Sequence, residues 1–197
     1  MSIRSISTEM WEDDKFESMP ISTRYLWAYL LTCPSSKASG IYRIKKETII
    51  RETMLTIEEV EKALTELTDK HMAFYSNSTH EIAIINAYRY NIRNYGKPVL
   101  DMLKKELSIV KNKALISIII KAIDEYIELI SDEQKYKLII TIREVYYQYS
   151  VSYKTNTNTN TNIKTNTNTN ININNDSWTT RENDNVSWDD LLKELEN

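Results

Sequence analysis

Leu55-Thr-Ile-Glu-Glu-Val-Glu-Lys-Ala-Leu-Thr-Glu-Leu67 is the stretch on which the fold turns. Thr56 with Glu59 three residues later forms a capping box, in which each side chain satisfies a backbone N–H of the first helical turn. A helix therefore begins there, and Leu55 stands where it can staple onto Val60. Ile57, Val60, Leu64 and Leu67 follow at intervals of three and four, which makes one apolar stripe. Just upstream, residues 46–54 read as a short helix with Ile49 and Ile50 inward, so two helices separated by a tight turn form a helix-turn-helix. Further upstream, Ile41-Tyr-Arg-Ile44 has the β-branched and aromatic content of a strand. It follows the turn-rich residues 34–40. Before that, Leu26, Trp27, Leu30 and Leu31 have helical spacing, with Ser22 as the expected N-cap and Pro34 as the stop. Downstream, residues 72–75 and 81–85 flank the polar 76–80 as a hairpin. Helix, strand, helix, helix, hairpin is the order of a winged helix.

Beyond the hairpin the pattern becomes purely helical. Pro98 at the first helical position opens a helix with Val99, Met102, Leu103, Leu107 and Val110 on its apolar face. Asn112 breaks it before a very apolar helix through Ile118, Ile119, Ile123, Ile127 and Ile130, and a second capping box at Ser131 and Gln134 starts a last helix toward Tyr149. The Ile-dense faces read as bundle core or oligomer contact. Residues 155–175, TNTNTNTNIKTNTNTNININN, offer neither face anything to bury, so ordering them at ~1–2 kcal/mol per residue goes uncompensated. After this linker, Trp188, Leu191, Leu192 and Leu195 fall on one helical face behind Ser187 as cap. That is the form of a tethered docking peptide for a partner, with packing back on its own core as the alternative. The expected class is mainly α with a small β-hairpin: a winged helix-turn-helix over 1–95, a helical extension over 96–153, a disordered Thr/Asn linker over 154–176 and an acidic amphipathic segment over 177–197.

Composition narrows the chemistry. The 197 residues include two glycines, so no Gly-rich phosphate loop can be built. One cysteine and two histidines cannot supply an ordinary zinc site, and a lone thiol reads as a reducing cytosol. Cys33 reads as a small buried hydrophobe, His71 as a helix-ending residue and His80 as part of the wing tip. No carboxylate pair stands out as an acid and base, and no membrane span is long enough. The expectation is a protein that is not an enzyme, takes no cofactor or metal, and does not enter a membrane.

Charge is unevenly placed. Residues 86–121 carry eight basic and two acidic groups, whereas residues 176–197 carry two and seven. A basic stretch interleaved with Tyr88, Tyr90 and Tyr95 is a candidate polyanion footprint, although Lys and Arg coating two helices would give the same count. The helix that a helix-turn-helix inserts into the major groove carries Glu58, Glu59, Glu61, Glu66 and Asp69 against Lys62 and Lys70. Acidic groups facing phosphates repel, so insertion by that helix alone is disfavoured. Either DNA lies across the wing and basic segment through Arg43, Lys45, Lys46, Arg51, Arg89, Arg93, Lys97, Lys104 and Lys105, or the winged helix binds protein. The tyrosines could stack on exposed bases, or serve as structural residues at a sheet edge.

Trp11-Glu-Asp-Asp14, Tyr29-Leu-Leu-Thr-Cys-Pro34, Gly40-Ile-Tyr-Arg-Ile44, residues 55–64, and Tyr90-Asn91 followed by Lys97-Pro98-Val99 together resemble the N-terminal winged-helix domain of phage replisome organisers and DnaD-like primosome proteins. The resemblance covers residues 2–122. It implies a protein of the host bacterial cytoplasm that binds origin DNA, self-associates as a homo-oligomer, and recruits a replicative helicase or its loader. Residues beyond 122 lack the pattern of the second DnaD-type domain. A transcriptional repressor and an inhibitor of a host protein are the competing expectations.

Overall fold

The computed structural model describes residues 6–93, 96–150 and 186–196. After a 3-10 turn at Thr8–Glu12, the order is α1 (Asp14–Glu17), α2 (Ile21–Thr32), β1 (Ile41–Arg43), α3 (Lys46–Thr53), α4 (Ile57–Asp69), β2 (Ala73–Ser76), β3 (Glu81–Ile84), α5 (Ala87–Asn91), α6 (Lys97–Ser108), α7 (Ala114–Ile127), α8 (Glu133–Tyr147) and α9 (Trp188–Glu196). The three strands form one antiparallel sheet in the order β1-β3-β2. Arg43 is opposite Glu81, and Ser76 is opposite Glu81 on the other side. This is a winged helix-turn-helix followed by further helices.

The capping box is present as read. The Glu59 N–H donates to Thr56 Oγ1 at 3.2 Å, and the Thr56 N–H donates to Glu59 Oε2 at 2.8 Å. The turn before it is made by Met54, which at φ 61° ends α3 in the left-handed region with its N–H on the Ile50 carbonyl. Val60, Ala63, Leu64 and Leu67 are buried, but Ile57, the first residue of α4, is 40% exposed. Met102, expected on the apolar face of α6, also stands exposed. Two expected caps are replaced. Helix α2 starts at Ile21 behind Pro20, which leaves Ser22 inside the first turn, and α8 is capped by Asp132, whose carboxylate accepts the Lys135 N–H, one residue past Ser131.

Alternation along the strands divides the core into two. Tyr42, Ala73, Ile82 and Ile84 join Leu26, Leu30, Ile49, Val60 and Leu67 beneath α2 to α4. Ile41, Phe74 and Ala83 point the other way and pack with Leu103, Leu107, Leu115, Ile118, Ile119, Ile123, Ile142 and Tyr146 of the extension. A strand presents successive side chains to opposite faces, so a sheet buried on both faces needs apolar residues throughout, as β2 and β3 largely have. Even Glu81 is buried. The sheet thus belongs to both layers, and Ile85, Tyr88 and Ile92, all before residue 95, already pack in the second.

Hydrogen bonds lock the layers together. The buried Tyr146 hydroxyl donates to the Ser39 carbonyl at 2.6 Å, and the Ser39 N–H donates to Glu106 Oε2 at 2.8 Å. Glu81 accepts the Lys111 N–H at 2.9 Å and the Asn112 N–H at 2.8 Å, while Asn112 bonds Ser76 Oγ and the Ala114 N–H. The hairpin is therefore fastened to the connection that starts α7.

Candidate nucleic-acid interface

The basic residues expected to meet DNA do not form one surface. Arg43, Lys45 and Lys46 follow one another from the end of the edge strand β1 into α3, and Arg51 lies further along α3. Arg43, Lys45 and Arg51 are exposed. Lys46 is half-buried, with its ammonium 3.2 Å from Glu61 and 5.6 Å from the Tyr75 ring centroid. Arg51 contacts its neighbour Glu52 at 3.2 Å, an exposed pair that costs little to break. Glu52 itself accepts the Tyr29 hydroxyl, a bond that holds its carboxyl below the usual value.

Beside β1 the fold adds cations that the spacing did not single out. Lys37, Arg43 and Lys111 line a shallow groove of about 310 Å³ together with Ile41, Ile109 and Val110. Lys37 comes from the loop after α2, and Lys111 is carried to the same place by the Glu81 anchor. Glu81 and Glu106 also line this groove, but each accepts backbone N–H groups and so is turned to holding the frame. Their contribution could be found only in three dimensions, since the bonds span 30 and 67 residues.

The second basic group lies elsewhere. Lys97 opens α6 and Ser108 ends it, so Lys97 stands about 16 Å along the helix axis from the end that meets β1. Arg93 and Lys97 are exposed there, Lys105 is exposed nearer the far end, and Lys104 is half-buried. Arg89 is committed to the fold: its guanidinium carbon lies 3.2 Å from the Tyr126 ring centroid. Burial pushes the Tyr126 phenol up, but the Lys135 hydrogen bond and the Arg89 charge outweigh it and hold the phenol below its ordinary value. Tyr88 cannot stack on a base, because it is fully buried with its hydroxyl donating to the Ala122 carbonyl at 3.4 Å. Tyr90 is 54% exposed, and Tyr95 lies outside the described residues.

Helix α4 presents Glu58, Glu59 and Glu61 at its exposed start. Glu59 is used by the capping box and Glu61 by Lys46, while Glu66 accepts the Thr23 hydroxyl at 2.8 Å. Cys33 is buried without a disulfide, and burial raises its thiol. Among the described residues no group of His, Cys, Asp and Glu could hold a metal ion, and no helix is long and apolar enough to cross a membrane.

The segment expected to dock on a partner packs, in this chain, along α7 as helix α9, with Leu191 and Leu195 buried in the core shared by the sheet and α7. The Trp188 ring stacks on His71 at 4.7 Å and Phe74 at 5.7 Å between centroids, and its indole N–H donates to Glu125 at 2.9 Å. Lys121 lies 5.5 Å from the same ring. An amphipathic stripe is satisfied by any apolar groove, and α7 supplies one within the chain. His71, at φ 53°, does end α4 as its position suggested, but its ring is used by Trp188. The Thr/Asn linker lies outside the described residues. Comparison with protein-family models, with curated proteins and with solved structures finds no match for this chain.

Proposed function

We propose that the chain is a DNA-binding protein of phage replication initiation, a replisome organiser that holds origin DNA at the β1 edge of its winged helix and recruits a helicase or helicase loader. One observation carries the DNA reading: Lys37, Arg43 and Lys111 line one groove beside β1, and the exposed Lys45 follows Arg43 closely in the chain, whereas α4 begins with three carboxylates. Each phosphate neutralised by Lys or Arg releases counterions, so affinity follows the number of cations that reach the backbone. The resemblance of residues 2–122 to replisome organisers supports the role in replication, which goes beyond what charge alone supplies. No cofactor is needed for it.

The test is fluorescence anisotropy on duplex and single-stranded oligonucleotides across a salt series. Replacing Arg43, Lys45 and Arg51 by Ala should weaken binding and flatten the log–log salt dependence by close to one unit per lost contact. Arg93→Ala with Lys97→Ala, at and just before the start of α6, should do much less. Glu61→Gln should leave binding unchanged or strengthen it, since it frees Lys46. Equal losses in both sets would overturn the β1 assignment. The acidic start of α4 favours a second reading, a protein that binds a host protein through that helix, and undetectable DNA binding at low salt would select it.

A further inference from the structure

Helix α9 occupies a seat with more specificity than a greasy groove. The Trp188 ring is nearly parallel to Phe74, at 7°, and stacks against His71 at 24°. Glu125 accepts its indole N–H, and Lys121, four residues back on α7 and 3.8 Å from Glu125, sits over the ring. Leu191 and Leu195 then enter the groove one and two turns on. A stacked indole with its one donor satisfied is the kind of contact that fixes a short helix in a single register.

The occupant is held by this seat, by the groove that takes Leu191 and Leu195, and by the chain that tethers it. With nine residues α9 is shorter than the ~12–15 at which an isolated helix becomes marginal in water, so its helical state depends on being seated. Residues 151–185 join it to the end of α8, and 35 residues can reach at most ~120 Å when extended. A folded body of this size has a radius of gyration of only about 15 Å. Chain length thus places no requirement on which copy of the body the helix occupies, and the contacts made in either case are identical. Exchanging an element between identical protomers costs little in such circumstances, because no new interface has to be invented.

We propose that the His71–Phe74–Lys121–Glu125 seat is a self-association site, and that its occupant in the assembled state is the Trp188–Glu196 helix of a second copy of this chain. In an isolated chain the attached helix has an effective concentration of up to about millimolar, so the chain stays closed on itself at micromolar concentrations. Wherever copies are brought together at comparable local concentration, exchange links them.

Two complementary full-length variants test this. Trp188→Ala with Leu195→Ala disables the helix and keeps the seat. His71→Asn with Glu125→Lys disables the seat and keeps the helix; both positions are exposed, and Asn is tolerated at the positive φ of residue 71. Each variant alone should sediment as a monomer of about 23.2 kDa, and an equimolar mixture should form a species of twice that mass. Restoring Trp188 and Leu195 to the first variant should abolish the mixed species at the same concentration, because its own helix refills the seat. A mixture that stays monomeric while both variants show wild-type circular dichroism would overturn the proposal. So would dimers of the helix-disabled variant alone, which would locate self-association on another surface. Neither outcome depends on whether the chain binds DNA.

Discussion

Gly40 shows how one residue can be fixed from two directions. It sits at φ 77°, a region that costs a residue with a Cβ of the order of 1 kcal/mol or more, and it ends the loop that delivers β1 to β3. A Cβ built there would stand 2.7 Å from the Ile84 carbonyl oxygen and 2.8 Å from the Ala87 Cβ, so β1 would have to move off the sheet. Gly40→Ala should destabilise the protein by roughly 2–4 kcal/mol, the sum of backbone strain and a steric clash. Urea unfolding measures this directly, and a loss under 1 kcal/mol would mean that the loop relaxes without cost. The other glycine, Gly96, precedes α6 with φ −59°, a value open to any residue. The turn-rich sequence around Gly40 announces a turn there, but only the structure shows that it needs a left-handed φ.

At the scale of elements, the connection between α6 and α7 is organised by a residue of the wing. Glu81 receives the N–H groups of Lys111 and Asn112 on a buried carboxylate, which closes the start of α7 onto β3. Hydrogen bonds to a charged acceptor contribute more than neutral ones, and an amide has one acceptor oxygen in place of two. Glu81→Gln should therefore cost about 1.5–3 kcal/mol, and should also weaken DNA binding if Lys111 contributes, because the loop that positions it loosens. Amide hydrogen exchange at 111–115 should rise by more than at α4, where the Thr56 and Glu59 box is independent. Uniform acceleration across the chain would mean that Glu81 supports global stability only. The contrast between these two joints explains what was legible. The box on α4 is written in residues three apart, whereas the Glu81 joint spans thirty and obeys no local rule.

At the scale of the whole molecule, the sheet is a shared wall. Removing α6 to α9 would expose Ile41, Phe74, Ala83, Ile85 and Tyr88, all buried in the intact chain. At ~25 cal/mol per Å² of apolar surface, losing the cover of five such side chains is comparable with the ~5–15 kcal/mol by which a domain is stable. A fragment of residues 1–95 should thus show no cooperative unfolding transition and should bind a hydrophobic dye, whereas the full chain should unfold in one step. A fragment with a sharp transition near that of the whole would show that the winged helix is complete without its extension.

What the sequence determined by itself was most of what short spacing encodes: the helix-turn-helix at 46–67, the hairpin, the turn at Gly40, and the helical nature of residues 97–147, though not the caps of α2 and α8. Periodicity and caps carry this because each is a contact between residues a turn or less apart. Only the tertiary structure decided which stripes meet. It stacked Arg89 on Tyr126, buried Tyr88, and brought Lys37 and Lys111 to Arg43 from distant loops. It also seated Trp188 on His71 and Phe74, more than a hundred residues away. An apolar face in a sequence states that it must be covered and leaves the covering surface open, because the hydrophobic effect that drives the burial is non-directional.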